Sequence, residues 1–169
     1  MVKHSQLFID SLIHPKKLAA YRLLSIGKII QYVFLLIAVI TIFSFIQFIT
    51  GVSENSVELV GLTEYVKDIQ WLLYPFALLL LTITSTFLLF IRISLYALVG
   101  IVLLKILKRR GEYRHMWRTA SLAITWSTLL TVIFSIVNVP SSISTIIGIL
   151  TTIAILSLAV TKYPKIPMK

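Results

Sequence analysis

The run WLLYPFALLLLTITSTFLLFIRISLYALVGIVLL, residues 71–104, followed directly by KILKRRGEYRHMWR, residues 105–118, decides how this chain folds. The apolar run has 34 residues and one charge, Arg92. As a helix it would measure about 50 Å, whereas the hydrocarbon core of a bilayer is about 30 Å thick. Between Pro75 and Gly100 there is no Gly, Pro, Asn or Asp that could form a turn. The pattern therefore predicts one unusually long helix that crosses a membrane once.

The basic residues are sorted into three short segments. Five of the sixteen Lys and Arg precede the first apolar run, six lie in residues 105–118, and three lie in residues 162–169. Four of the six acidic residues instead lie in residues 51–68. Because short basic loops are typically cytoplasmic, the three basic segments should share that side. A double crossing of residues 71–104 would place the basic and acidic loops together, which supports the single crossing.

These patterns predict an all-α integral membrane protein with four transmembrane helices, the second unusually long. An N-terminal segment, residues 1–28, precedes a single transmembrane domain, residues 29–161, and a cytoplasmic tail follows at 162–169. We expect a multi-pass protein of the cell membrane with both termini cytoplasmic. The predicted spans are about 29–50, 71–104, 120–139 and 143–160, with an outer loop at 51–68 and a basic inner loop at 105–118.

The N-terminal segment predicts a helix that lies on the membrane surface. Apolar residues on either side of Pro15 are accompanied by a basic flank, as in amphipathic interfacial helices. The alternative is a partly ordered tail that only supplies positive charge. Asp10 and His14 stand four residues apart, and we expect a surface contact between them.

The composition argues against several classes of function. The chain is 58% hydrophobic, 13% charged and free of cysteine, so it is no soluble domain and has no thiolate chemistry. Its net charge of +10 does not indicate nucleic-acid binding, because the basic residues flank apolar runs. Anionic lipids of the inner leaflet explain that charge more simply. No catalytic grouping, cofactor motif or metal-ligand spacing occurs, so we expect no enzymatic activity.

Arg92 and the hydroxyl-bearing residues give the sharpest hypothesis. An ionisable residue inside an apolar span needs water, a partner or a lipid headgroup. Helical spacing places small and polar residues on one face of each of the last three spans. These faces could form a polar path in which Arg92 attracts an anion. Alternatively, they pack helices together while hydroxyls bond their own backbone and Arg92 extends toward the interface. The candidates beside Arg92 are Thr82, Ser85 and Thr86 in the second span, Ser121, Thr125, Thr128, Thr131, Ser135 and Asn138 in the third, and Ser144, Gly148 and Thr152 in the fourth.

The basic inner loop is dense enough to bind anionic lipid headgroups, or to dock an acidic surface of a soluble partner. It could equally supply only the charge that orients the protein. The residues concerned are Lys105, Lys108, Arg109, Arg110, Arg114 and Arg118.

Three stretches resemble the Yip-type membrane superfamily, specifically an uncharacterised Firmicutes branch in which some members are labelled maltodextrin-utilisation proteins. The stretches are Ile13 to Lys28, Tyr74-Pro75-Phe76, and Lys105 to Ala120. Typical members of that branch carry a larger insertion after the first span, where this chain has only residues 51–68. The resemblance implies a polytopic bacterial plasma-membrane protein and no established set of catalytic residues.

From these features we expect a non-enzymatic accessory or scaffold protein that associates with another membrane protein or with itself. The alternative is a small transporter or lipid-handling protein in which Arg92 anchors an anion.

Overall fold

The computed structural model describes the backbone of residues 3–58 and 62–165, and the side chains of residues 3–51 and 68–165. Within that part of the chain there is no β-strand, only an isolated bridge between Arg109 and Lys165. The predicted all-α fold is therefore confirmed. Its elements in chain order are α1 (His4–Ile13), a 3₁₀ helix (Pro15–Leu23), α2 (Ile26–Glu58), α3 (Leu62–Ile106), α4 (Tyr113–Ile136) and α5 (Ser141–Val160).

Four of these helices are long and apolar enough to cross a membrane. The candidate spans are Ile26–Gly51, Asp68–Ile106, Tyr113–Ile136 and Ser141–Val160. The second has 39 residues, and α3 as a whole is one continuous helix of 45 residues. The chain is a multi-pass membrane protein, and the prediction of an unusually long second helix is confirmed.

The helices on either side of the predicted outer loop extend further than expected. Helix α2 continues to Glu58 and α3 begins at Leu62, so most of residues 51–68 is helical. No proline occurs there, and a glycine or asparagine in a helix costs only about 1 kcal/mol. The acidic side chains of Glu54, Glu58 and Glu64 lie outside the described residues.

The predicted basic loop is also shorter, because α4 begins at Tyr113. Residues 113–119 are helical since Met116 and Thr119 are fully buried and their burial extends the helix. Helix α3 is closed by Lys108, which has a left-handed φ of 49°, and by a bond of 2.8 Å from Arg109 N–H to the Leu104 carbonyl. This is the geometry of a Schellman C-cap.

The chain divides into two compact units. Unit 1 comprises Met1–Leu36 and Phe90–Lys169, and unit 2 comprises Ile37–Leu89. In unit 1, α4 packs against α5, α1 and the 3₁₀ helix, and the 3₁₀ helix also packs against α5. The largest fully buried side chains of unit 1 are Leu7, Leu18, Ile29, Tyr32, Leu36, Ile93, Met116, Leu122, Ile124, Leu156 and Tyr163.

The N-terminal segment forms part of the core of unit 1. The predicted helix is present as α1, but the element after Pro15 is a 3₁₀ helix of nine residues. Leu7 and Leu18 are completely buried, so each element packs an apolar side chain against protein, whereas Ile13 and Leu23 are exposed. Tertiary packing sustains a 3₁₀ helix of this length, because isolated 3₁₀ segments rarely exceed four residues. The partly ordered tail does not describe this segment.

Unit 2 contains residues of α2 and α3. Its buried residues include Ile37, Thr41, Ala77, Ser85 and Leu89, which are at most 9% exposed. The rings of Phe45 and Tyr74 also meet edge to face, with 6.3 Å between their centroids. Many of its other large apolar side chains are exposed, as expected for helices surrounded by lipid.

Candidate functional site

Arg92 lies at the margin of the buried face of α3 in unit 1. Ile93 and Tyr96 are buried on one side of it, whereas Leu95 and Val99 are 57% and 38% exposed on the other. The Arg92 side chain is half-buried and makes no hydrogen bond or ion pair with the described residues. Its charge therefore lacks a compensating group in the described part of the chain.

An aromatic cluster lies next to Arg92 in sequence. Phe90 stacks on Trp117 of α4 with 6.1 Å between ring centroids, and Phe34 of α2 meets Phe90 edge to face at 6.5 Å. Such ring contacts contribute about 1 kcal/mol each beyond their buried area. They connect three helices of unit 1 at this point.

The hydroxyls predicted on α3 bond their own helix. Thr82 Oγ1 donates to the Leu78 carbonyl, and Thr86 Oγ1 donates to the Thr82 carbonyl, both at 2.7 Å. Ser85 is 9% exposed, within the buried part of unit 2. Thr82 and Thr86 thus follow the back-bonding alternative, and their donors are occupied.

The predicted polar face of α4, which carries its hydroxyl side chains, begins in the core of unit 1. Ser121, Thr125 and Thr128 are at most 4% exposed. Ser121 donates to the Trp117 carbonyl at 2.8 Å, and Thr125 donates to the Leu122 carbonyl at 2.7 Å. These hydroxyls are enclosed by packed helices.

The residues near the C-terminal end of this polar face of α4 have a different environment. Thr131 and Ser135, with Ser141, Ser144 and Thr145 near the start of α5, line a small cavity of about 140 Å³.

Asn138 does not pack between helices, contrary to the prediction. It is exposed beyond the end of α4 and has a left-handed φ of 57°, while Val139 N–H bonds the Phe134 carbonyl at 2.9 Å. Asparagine tolerates this conformation better than most residues, so Asn138 serves as the left-handed residue that follows the C-cap Val137 and ends α4.

The small residues of α5 face α4. Ser144, Gly148 and Thr152 are all buried. A Cβ atom added at Gly148 would lie 2.7 Å from Ser127 Oγ, which is closer than van der Waals contact allows. The Ser127 hydroxyl is itself buried without a hydrogen-bond partner among the described residues. Gly148 therefore permits a close approach between α4 and α5.

Tyr32 connects three helices through a bonded set of hydroxyls that the sequence reasoning missed. Its hydroxyl lies 2.6 Å from Thr125 Oγ1 of α4 and 3.2 Å from Ser11 Oγ of α1. Nearby, Trp126 Nε1 donates to the Leu12 carbonyl at 2.9 Å. The signal in the sequence is a tyrosine that follows Gln31 near the start of the first span, and this signal does not identify its partners.

A second cluster closes the N-terminal segment on itself. The Asp10 carboxylate, 5% exposed, accepts bonds from the Tyr21 hydroxyl and from Lys17 Nζ at 3.1 Å, and His14 Nδ1 lies 3.2 Å away. The pair of Asp10 and His14 forms, but the expected surface contact is wrong because Asp10 is buried. The Tyr21 hydrogen bond is the largest cause of the lowered pKa of Asp10. Burial, followed by the bond to Asp10, raises the pKa of Tyr21 to about 12.

Two of the predicted basic residues bond the protein itself. Arg109 Nη1 donates to the Tyr163 carbonyl at 2.8 Å, and Arg118 Nη1 donates to the Arg22 carbonyl at 2.7 Å. The Arg22 guanidinium lies over the Tyr163 ring, 4.8 Å from its centroid. Arg109 therefore fastens the segment that follows α5, and Arg118 fastens the end of the 3₁₀ helix.

The other predicted basic residues are exposed. Arg114 pairs with exposed Glu112 at 2.6 Å, a surface contact of little energetic weight. Lys105, Lys108 and Arg110 make no side-chain hydrogen bond or ion pair with the described residues. The basic segment thus divides into residues that stabilise the fold and residues that face outward. In the parts of the chain whose side chains are described, no three His, Asp or Glu residues converge as a metal site.

A family model described as "Protein of unknown function (DUF1189)" matches residues 54–160, which is more than half of the chain. The chain belongs to this family. The matched region of this DUF1189 protein includes α3, α4 and α5, whereas Asp10, Tyr21 and Tyr32 lie outside it. No curated protein and no solved structure matches the chain.

Proposed function

We propose that this protein is a non-enzymatic accessory or scaffold subunit that binds another membrane protein or a second copy of itself. The observation that carries the proposal is Arg92, a half-buried guanidinium in a 39-residue candidate span. It has no hydrogen bond or ion pair with the described residues. A charge in this setting costs a few kcal/mol unless a partner compensates it.

The surroundings of Arg92 favour a helix as that partner. Leu95 and Val99 are exposed along the same edge of α3, and they offer an apolar strip beside the charge. A partner helix that carries one carboxylate could pack on Leu95 and Val99 while pairing with Arg92. Such a pair would determine which helix binds and in which register.

Purification from native membranes in mild detergent tests this proposal. We expect the wild type to recover a stoichiometric membrane protein, or a dimer of itself. Arg92→Ala should reduce recovery of that partner at least tenfold, because the partner carboxylate would be left unpaired. Arg92→Lys should retain part of it.

Leu98→Ala is the matched control. Leu98 is 54% exposed and lies about 120° around α3 from Arg92, and its truncation should leave recovery unchanged. A wild type that purifies as a clean monomer would refute the proposal, as would Arg92→Ala that keeps its partner.

The alternative is a small transporter or lipid-handling protein in which Arg92 holds an anion. It predicts that Arg92→Ala abolishes an uptake or lipid-transfer phenotype while membrane abundance and partner recovery stay normal. That result would replace the scaffold function with the anion-anchor function.

We also propose a bacterial plasma-membrane location with cytoplasmic termini. The resemblance to the Firmicutes branch of the Yip-type superfamily supports the location, and the three basic segments support the orientation. The chain has no cysteine, so single cysteines can be labelled cleanly. Ser56→Cys and Ser141→Cys should react with an impermeant thiol reagent from outside, and Gly111→Cys should not. Outside labelling of Gly111→Cys would reverse the orientation.

A further inference from the structure

Two segments of unit 1 that are distant in the chain, and that both carry exposed basic residues, are joined by backbone hydrogen bonding. Arg110 N–H bonds the Pro164 carbonyl at 2.8 Å, and Arg109 forms a backbone bridge with Lys165. The α3–α4 connection is thereby fastened to the segment that follows α5. We define the basic rim as five exposed residues in the last turn of α3, in the α3–α4 connection and in the segment after α5: Lys105, Lys108, Arg110, Lys162 and Lys165.

The charged groups of the basic rim have no polar partner in the described part of the chain. None of its five side chains makes a hydrogen bond or an ion pair with the described residues. By contrast, Arg109 in the connection is bonded to Tyr163, and Arg114 in the first turn of α4 is paired with Glu112, so these two are already occupied. The rim is therefore the part of the basic segment that is open to an external anion.

The conformation of Lys108 adds a second observation. Its φ of 49° lies in the left-handed region that glycine adopts most readily. A lysine adopts this conformation less readily than a glycine, and at this turn it places a positive charge in the α3–α4 connection. This choice of residue is consistent with a use for the charge.

The apolar neighbours of the rim indicate what it binds. Ile106 at the end of α3, Leu107 in the connection and Tyr113 at the start of α4 are 68%, 41% and 44% exposed. Candidate spans end at Ile106 and at Val160 and begin at Tyr113, so the rim lies within a few residues of three span ends. Near the ends of membrane spans, lysines can pair with lipid phosphate headgroups while neighbouring apolar side chains contact the acyl chains. An acidic soluble protein would not match the exposed Ile106 and Leu107.

We propose that the basic rim is a binding surface for anionic phospholipid headgroups. It is separate from Arg92, and its failure would leave the scaffold proposal intact. The lysines and Arg110 would pair with lipid phosphates, while Ile106 and Leu107 enter the upper acyl region.

Lipid retention by the full-length protein tests the proposal. The purified protein is mixed with detergent micelles that contain equal amounts of phosphatidylglycerol and phosphatidylcholine, and the co-eluting lipids are quantified by mass spectrometry. The wild type should retain phosphatidylglycerol preferentially. The triple variant Lys105→Gln/Lys108→Gln/Lys165→Gln should lower the retained ratio of the two lipids at least about fivefold, because each lysine contributes to attraction by an anionic surface.

Two controls separate the rim from net charge and from misfolding. Lys3→Gln/Lys16→Gln/Lys28→Gln removes the same charge from the N-terminal segment and should keep the wild-type ratio. Lys105→Arg/Lys108→Arg/Lys165→Arg retains the rim charge and should keep it as well, with an unchanged melting temperature in both triple variants of the rim.

Three outcomes would overturn the proposal. The first is equal retention of the two lipids by the wild type. The second is an equal loss in the N-terminal and rim glutamine variants, which would show an effect of net charge alone. The third is retention of a polyglutamate peptide, but not of phosphatidylglycerol, in a rim-dependent way, which would identify an acidic protein as the occupant.

Discussion

In unit 1 the hydroxyl of Tyr32 joins three helices, whereas in unit 2 the hydroxyls of Thr50, Thr82 and Thr86 bond only carbonyls of their own helix. Both units contain parts of the candidate membrane spans, whose mean hydropathies lie between 1.6 and 2.6. Lipid is as apolar as a leucine side chain, so burial alone does not select a helix partner in a membrane. Hydrogen bonds between elements and close contacts at small residues do select one. Unit 1 therefore has specified packing, and the exposed apolar faces of unit 2 suit contact with lipid.

The two units also differ in the charged residues that they carry. All basic residues except Lys67 belong to unit 1, while four of the six acidic residues belong to unit 2. In unit 1, Arg109 and Arg118 are bonded within the fold, whereas the basic rim and Arg92 are not. The charges that face outward are the ones on which the two proposals rest.

The largest predicted effect compares a glycine of each unit. Gly148→Leu should lower the free energy of unfolding by about 2–3 kcal/mol, because a side chain there overlaps Ser127 and separates α4 from α5. Among the described residues, no heavy atom lies within 4 Å of a Cβ added at Gly51. Gly51→Leu should instead raise stability by about 0.5–1 kcal/mol through helix propensity. Reversible unfolding in mixed detergent micelles measures both. Equal losses at the two positions would contradict the difference between the units.

A smaller effect is expected from two tyrosines. Tyr32→Phe should cost about 1 kcal/mol, because it removes hydrogen bonds to Ser11 and Thr125 that join helices. Tyr74 of unit 2 has an edge contact with Phe45, which a phenylalanine would retain. Tyr74→Phe should therefore change stability by less than about 0.5 kcal/mol. The same unfolding assay compares the two, and a larger loss for Tyr74→Phe would show that unit 2 also relies on polar contacts.

The smallest effect is a pH dependence of the N-terminal segment. The pKa of Tyr21 is raised to about 12 in the folded protein by burial and by the bond to Asp10. Folding thus favours the neutral phenol, so this stabilisation is complete below pH about 10 and is lost as the pH rises toward about 12. The melting temperature of the wild type should fall by a few degrees more over that interval than that of Tyr21→Phe. Other tyrosines and the lysines titrate in both proteins and cancel in the comparison. Parallel curves would show that Tyr21 is not coupled to folding.

Much of the fold was predictable because it follows from transfer free energy. The single crossing of residues 71–104 was predicted from the length of the run, the absence of turn residues and the sorting of charge, and α3 is one continuous helix. Helix ends were predicted less well. The start of α4 at Tyr113 depends on the burial of Met116, and the end of α4 depends on the left-handed backbone of Asn138. Neither is visible in hydropathy.

The candidate site was predictable only in part. Arg92 stood out because one charge in a long apolar run is rare at any position. The spacing of the α5 residues also indicated a close-packing face, and Ser144, Gly148 and Thr152 are buried there. By contrast, nothing in the basic segment distinguished Arg109 and Arg118 from Lys108 and Arg110. Their different roles depend on carbonyl groups of Tyr163 and Arg22, which are far away in sequence.

The sequence by itself determined the class of protein, the number of long apolar helices and the sorting of charge, because each of these depends on the solvation of residues taken one at a time. Only the tertiary structure decided which groups meet. Tyr32 and Thr125 are 93 residues apart in sequence, and Arg118 and the Arg22 carbonyl are 96 apart. A hydrogen bond requires two particular atoms within about 3 Å, and no periodicity along the chain specifies such a distance. The tertiary structure thus separates the arginines that hold unit 1 together from the basic rim and Arg92, which lack partners among the described residues.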